Sequence, residues 1–280
     1  MATEKKKVVK SSAAVPEAKT SSKTKGATWA PTPEAKKKAV TFRWIAAVLW
    51  ALAIAGEAYA IFGVLANAPV NMTLLIVLIV VIGALAIVGN LLWRKANQLD
   101  PASEKDKFRF WVQNQLGAII TMIAFLPLVV LILVNKDMDP KQKTIATVIA
   151  AIVAIPAFIT GAELNSNSVE QMSAEQQQII AITGVDEVFW TKSGKVYHLC
   201  QDAHYVNIDS ADGEITKGSI AQANAEGKRA PAQQTIKTES NQWGFTYVTP
   251  EEVQQQLLDD TDDVTDDATD DEVEETESEG

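Results

Sequence analysis

The chain has 280 residues, of which 47% are hydrophobic, and it carries a formal net charge of −10 with a single cysteine. One cysteine excludes an intrachain disulfide, and no arrangement of acid, base and nucleophile is strong enough to name a reaction, so we expect no enzyme. The net charge hides two opposite ends. Residues 1–43 hold eleven basic residues against three acids, whereas residues 251–280 hold fifteen acids and no base.

The first 41 residues mix Lys, Ala, Ser, Thr and Pro, with almost no large apolar residue to bury. Such a composition cannot offset the entropy of ordering and predicts a disordered, Lys-rich tail over residues 1–41. It is no secretory signal, because the apolar stretch that follows is long enough to remain as a membrane span. The tail either stays solvated and sets the membrane topology or contacts anionic lipid headgroups, and nothing in it predicts specific nucleic-acid binding.

An apolar block from Phe42 to Leu164 contains the runs that locate the protein. A helix needs about 20 mostly apolar residues to cross the hydrocarbon core of a bilayer. Within the block, Leu74 to Val88 lacks the polar stripe of a soluble core helix. The sequence therefore predicts a four-helix transmembrane bundle, with spans at residues 42–66, 72–93, 116–134 and 144–161.

The distribution of Lys and Arg beside the spans predicts their orientation. Basic residues crowd the segment before the first span and the loop between the second and third spans. The loop at 67–71 has no charge, and the loop after the third span mixes lysines with Asp137 and Asp139. The positive-inside rule then places both termini in the cytoplasm, with the spans in the cell (inner) membrane.

Glu57 is the one acid well inside a predicted span. An ionisable group at that depth is a functional candidate by default, so Glu57 suggests a small transporter or transport accessory. Its candidate polar partners in other spans are Asn90, Thr121 and Thr147. Snorkelling of the carboxylate to the membrane surface, or burial as a neutral acid against a neighbouring helix, are the alternative interpretations.

Small residues at every fourth position predict where the helices approach one another. In the first span these are Ala47, Ala51 and Ala55, and in the fourth they are Ala146, Ala150 and Ala154.

Residues 165–258 predict one small soluble α+β domain. It is expected to begin with a helix from Ala174 that Ser173 caps, followed by a β-hairpin with strands at 188–191 and 196–199. A second helix should be capped by Ser219, run to Ala225 and end at Gly227. The last expected elements are a strand at 243–248 and a helix that starts at Thr249-Pro250.

Two stretches of this domain carry a resemblance. Residues 189–198, read as Phe-Trp-Thr-Lys-Ser-Gly-Lys-Val-Tyr-His, and residues 218–228 resemble a small zinc module built from a strand, a Gly turn, Tyr-His and a short helix. The resemblance implies metal ligands at His198 and at three Cys positions that here are Ala203, Ala232 and Thr235. The whole chain is similar to an uncharacterised group of actinobacterial multi-pass membrane proteins that end in such a cassette. Because only His198 remains, we expect the module without its metal.

His198, Cys200 and His204 form a second, local pattern. On a strand, His198 and Cys200 would share one face and could supply metal ligands with His204, or form a Cys-His nucleophile pair. No orienting acid or fourth ligand is identifiable, so a metal-dependent sensor is the least favoured function. We predict no cofactor and no catalytic residue.

The chain ends in repeated Asp-Asp pairs, which predict a disordered acidic tail over residues 259–280. Taken together, the sequence favours an integral membrane scaffold or interaction protein in contact with the lipid bilayer. Its cytoplasmic α+β domain would be non-catalytic and would bind a protein partner. A transporter using Glu57 and a metal sensor using His198, Cys200 and His204 are the alternatives.

Overall fold

A computed structural model describes residues 7–11, 28–163, 167–204, 206 and 213–255. The predicted acidic tail at 259–280 lies outside these residues, as does much of the predicted Lys-rich tail. The described chain has two parts, a bundle of four long helices and a smaller domain that packs against one end of it.

The bundle contains α1 (Pro33–Tyr59), α2 (Met72–Leu99), α3 (Lys107–Val134) and α4 (Pro140–Gly161), and α1 continues as a π-helix over Ala60–Leu65. All four are long and apolar enough to cross a membrane, which confirms the four predicted spans as helices. Each helix extends beyond its predicted span. The reason is that side-chain caps, such as Thr32 before α1 and Asp106 before α3, set the helix ends, whereas polarity set the predicted bounds.

The outer surface of the bundle is apolar, as expected for helices suited to a membrane. Large apolar side chains such as Phe62 and Ile152 are exposed on its outside, while alanines and larger side chains such as Phe125 are buried together between the helices. The predicted small face of the fourth span is confirmed at Ala146 and Ala150, which are buried.

The predicted small face of the first span is wrong, because Ala47, Ala51 and Ala55 are exposed. The inward face of this span instead includes the buried residues Ala46, Trp50, Ala53 and Glu57 of α1 and Ala60 of the π-helix. Residues four apart differ in direction by about 40° on a helix of 3.6 residues per turn, so a pattern repeated every four residues gradually leaves one face. The buried positions are alternately four and three residues apart, which keeps them on the same face. Glu57 lies on this inward face.

The domain consists of α5 (Val169–Thr183), β2 (Val188–Trp190), β3 (Glu214–Gly218), α6 (Ile220–Ala225) and α7 (Gln233–Gln242), and residues 250–255 are also helical. Its third strand is β1 (Lys7–Lys10), from the other end of the chain. The sheet order is β1-β3-β2, with β1 parallel and β2 antiparallel to β3.

The expectation of a disordered tail through residue 41 is therefore wrong for residues 7–10 and 28–41. Besides forming β1, this segment buries Trp29 in the domain core, where its indole N–H donates to Asn224 and its backbone N–H to Ser173. Few apolar residues are available in the segment, but Val9 and Trp29 find partners supplied by residues far along the chain.

Several expectations for the domain hold, since Ser219 caps α6, Gly227 follows it with a positive φ, and Thr249 caps the helical residues 250–255. Others fail. Ser168 rather than Ser173 caps α5, residues 243–248 form no strand, and the predicted hairpin is reduced to one bridge between Phe189 and His198. Ser168 is the N-cap because the helix already begins at Val169, which leaves Ser173 inside the helix.

The domain is held on the end of the bundle where α1 begins and α2 ends, here called the junction. Ala225 packs against Ala35, Ala39 and Leu99, and the backbone N–H of Val169 donates to the carbonyl of Ala102. Both the N-terminal strand and the C-terminal domain consequently lie at this one end of the bundle.

Candidate functional sites in the bundle and the domain

Glu57 is buried in the bundle, with 5% of its surface exposed. Its carboxyl group lies beside the backbone of Leu128 on α3, and among the described residues its Oε1 has no hydrogen-bond partner. The predicted partners Asn90 and Thr121 bond elsewhere, and the buried hydroxyl of Thr147 also lacks a partner within the described chain. Glu57 is thus a buried carboxyl group without a polar network around it.

A polar network does join the helices, but it is centred on Asn90 and not on Glu57, for which we predicted polar partners. Its amide nitrogen donates to the Thr121 hydroxyl at 3.1 Å and to the Ala157 carbonyl at 2.7 Å, and its oxygen accepts from the Trp50 indole at 3.1 Å. These partners lie on α3, α4 and α1, so one side chain on α2 joins all four helices. Because every polar group of the amide is engaged, we interpret Asn90 as a structural residue rather than a ligand.

Close backbone contacts surround Asn90. A Cβ atom added to Gly161 would lie 2.5 Å from the carbonyl carbon of Gly117, and one added to Gly117 would lie 2.8 Å from the side-chain oxygen of Asn90. Only glycine fits at these positions. The α3–α4 contact is therefore tightly packed at the level of Asn90.

A second polar cluster lies at the junction end of the bundle. The Asn97 amide donates to the backbone of Gln113 and to the Glu163 carboxylate, and both Asn97 and Glu163 are buried. Burial raises the pKa of Glu163, against smaller opposing effects of the Asn97 hydrogen bond and the Arg94 charge. Nearby, Arg43 pairs with Asp100 at 2.6 Å. These contacts tie the ends of α1 and α2 to the chain that leads into the domain.

In the domain, His198 pairs with a residue that sequence reasoning missed. Its Nδ1 lies 2.6 Å from Oε1 of Glu239, whose other oxygen accepts from the backbone N–H of Leu199 at 3.0 Å. Both side chains of the pair are only 6% exposed. Glu239 lies on α7, a helix not predicted from the sequence, and it is the only acid there. The signal that could have found it is the spacing of Ile236, Glu239 and Ser240, which share one buried face.

The other candidates in the domain do not assemble a site. Within the described residues no group of three His, Cys, Asp or Glu side chains could hold a metal ion. Ala203 packs with Val206 and Ile215, and Ala232 and Thr235 lie at the start of α7. Burial, with smaller contributions from the carboxylates of Glu239 and Asp202, raises the pKa of Cys200 to about 11, which suppresses the reactive thiolate.

Glu175 and Tyr197 form a further group of titratable side chains in the domain. The Tyr197 hydroxyl is buried and has no hydrogen-bond partner among the described residues. Burial raises the pKa of Glu175 to about 7, and the Glu175 and Asp186 charges add to the effect of burial in raising the pKa of Tyr197. Asp186 itself is well bonded, since it accepts from Gln176 and from the first backbone N–H of α6. The stability of the domain should therefore depend on pH, because the buried Glu175 changes its charge near pH 7.

A cleft of about 580 Å³ lies at the junction, between the ends of α1 and α2 and the domain. Its lining includes four lysines, Lys38, Lys95, Lys192 and Lys228.

Comparison with family models, with curated proteins and with solved structures finds no match to this chain. The sites described above therefore stand on their geometry alone.

Proposed function

We propose that this chain is an integral membrane interaction protein that holds a small domain in a set position at the cytoplasmic face of the cell membrane. The observation that carries the proposal is the construction of the domain from both ends of the chain. Trp29 is buried in its core only four residues before α1 begins, and Ala225 packs against α1 and α2. Such a domain cannot swing freely on a linker, which suits the presentation of one surface to a partner.

Charge supports the cytoplasmic orientation. The junction end of the bundle carries the basic residues before and at the start of α1, together with those at the end of α2 and the start of α3, such as Arg94 and Lys107. The opposite end carries the loops at 67–71 and 135–139. By the positive-inside rule the junction end faces the cytoplasm. The resemblance to actinobacterial membrane proteins stays a prediction, and it agrees with this arrangement.

Site-specific photo-crosslinking in growing cells tests the proposal. Val185 and Trp243 are exposed apolar residues of the domain, and Phe62 is an exposed residue at the far end of the bundle. A photoreactive residue at Val185 or Trp243 should give a discrete protein adduct, whereas one at Phe62 should give lipid adducts. Absence of any protein adduct from both domain positions would contradict an interaction role.

Glu57 supports a second candidate, proton or ion movement through the bundle. Its buried oxygen without a partner is costly in a membrane and is often kept for function. In liposomes with an imposed pH gradient, a transporter would show a flux that Glu57→Gln abolishes and Glu104→Gln, in the exposed loop before α3, leaves unchanged. Equal flux in both variants and in protein-free liposomes would exclude this role. No such observation within the described residues favours the metal sensor.

A further inference from the structure

The junction cleft combines lysines from distant parts of the chain. Lys38 comes from α1, Lys95 from α2, and Lys192 and Lys228 from the domain. Phe42 and Leu99 form an apolar part of the wall. The cleft exists only because the domain is packed against the bundle, so it is a different feature from a basic tail.

Three of these ammonium groups have no polar partner in the described part of the chain. Among the described residues, Lys38, Lys95 and Lys192 make no ion pair or hydrogen bond through their side chains, although Lys95 lies 5.5 Å from the Phe42 ring centre. Lys228 is engaged, since its Nζ donates to the carbonyls of Lys192 and Gly194.

The lining holds fewer acids than lysines. Glu226 uses both carboxylate oxygens, accepting from the Ser11 hydroxyl at 3.0 Å and from the Trp190 indole at 2.8 Å. Glu214 is the other acid of the lining. Four lysines against two acids leave a net positive cleft, and like charges held together favour a bound anion.

The depth of the cleft indicates which anion it meets. Lys38 lies one helical turn before Phe42, where the apolar run of α1 starts, and Lys95 follows Trp93 at the end of the apolar run of α2. Aromatic residues and lysines at span ends mark the headgroup region of a bilayer. Lysines, an apolar wall and this depth match the phosphate and glycerol region of a phospholipid.

We propose that the junction cleft binds a phosphate group, supplied by the headgroup of an anionic phospholipid, through Lys38, Lys95 and Lys192. The bound lipid lies between bundle and domain and helps to fix the domain in place. This site requires that the four helices span a membrane, but it does not require that the domain has a protein partner. Failure of one proposal therefore leaves the other standing.

Native mass spectrometry of the full chain, delipidated in a non-ionic detergent and titrated with phosphatidylglycerol, tests the site. The test variant is Lys95→Ser with Lys192→Ser, both exposed positions where substitution should not disturb folding. The matched control is Lys136→Ser with Lys141→Ser, which removes two exposed lysines at the far end of the bundle. We expect one tightly bound phosphatidylglycerol, held about 30-fold more weakly by the test variant and equally well by the control.

Two further arms identify the source of the phosphate. Phosphatidylcholine, which has the same phosphate but no net charge, should bind more weakly than phosphatidylglycerol. Inorganic phosphate that binds as tightly as phosphatidylglycerol would overturn the assignment to a lipid. Equal phosphatidylglycerol affinity in the test and control variants would overturn the site itself.

Discussion

Replacement of Glu239 by Ala should strongly destabilise the domain, because two buried polar groups lose the carboxylate that they bond to. The imidazole of His198 loses the carboxylate 2.6 Å away, and the backbone N–H of Leu199 loses its acceptor. Nothing else supplied by α7 can replace the acid, since Ile236 and Ser240 are the other residues on its buried face. The pair holds α7 to the stretch that follows β2.

The magnitude follows from the burial of the pair. Hydrogen bonds to a charged group contribute about 1.5–3 kcal/mol each, and removing one partner of a buried pair costs about 3–5 kcal/mol. With a urea dependence of about 1.5 kcal/mol per molar for a domain of this size, the urea midpoint should fall by about 2–3 M. Glu239→Gln keeps the shape but loses the charge, so it should fall between Glu239→Ala and the unchanged protein.

Pulse proteolysis in urea measures this midpoint on the full chain in detergent micelles. The bundle stays protected in the micelle, so cleavage after a short pulse of protease reports unfolding of the domain. Gln234→Ala is the matched control, because Gln234 lies on the same helix but is exposed. Its effect should stay within about 0.5 kcal/mol. A Glu239→Ala midpoint equal to that of Gln234→Ala would refute the role assigned to the pair.

Three more predictions concern pH, thiol chemistry and close packing. Folded Glu175 keeps its proton up to a pKa of about 7 whereas the unfolded chain releases it above about 4.5, so stability should fall by about 3 kcal/mol as pH rises through that window. Glu175→Gln should remove this part of the pH dependence of the urea midpoint, and an unchanged dependence would contradict it. Cys200, with its pKa of about 11, should react with iodoacetamide at pH 8 about 100-fold more slowly than in urea; similar rates would exclude the buried thiol. Gly161→Ala should destabilise the bundle by about 1–3 kcal/mol in thermal melts followed by circular dichroism, because its Cβ meets the backbone of Gly117. Gly56→Ala, whose Cβ would meet the side chain of Ile82 at 3.2 Å and no backbone atom, is the control with the milder contact, and equal melts of the two variants would show that the α3–α4 contact can relax.

Features set by local composition could be read from the sequence. The four spans were found because each is a run of apolar residues long enough to cross a bilayer, and α6 was found because Ser219 and Gly227 mark its ends. Such signals depend only on residues close together in the chain. The bounds of the spans were less accurate, because Thr32 and Asp106 begin helices in polar sequence.

Polar partners were harder to predict because several choices satisfy the same composition. Glu57, Asn90 and Thr121 were grouped as one intramembrane set, but Asn90 bonds to Thr121, Trp50 and Ala157 instead. Rotation of each helix about its axis decides which polar groups meet. A shift of one position turns the face by about 100°, which is enough to move the four-residue alanine pattern of α1 from buried to exposed positions.

By itself the sequence determined that the chain has four helices suited to a membrane, since lipid offers no hydrogen-bond partners and leaves a helix as the only form for such runs. Only the tertiary structure decided that β1 and Trp29 belong to the C-terminal domain, that Glu239 engages His198, and that a lysine cleft forms at the junction. Trp29 and its partner Asn224 are 195 residues apart, and His198 and Glu239 are 41 apart. Contacts over such distances depend on how whole elements pack, and the packing energy is shared among many residues that carry no local signal of it.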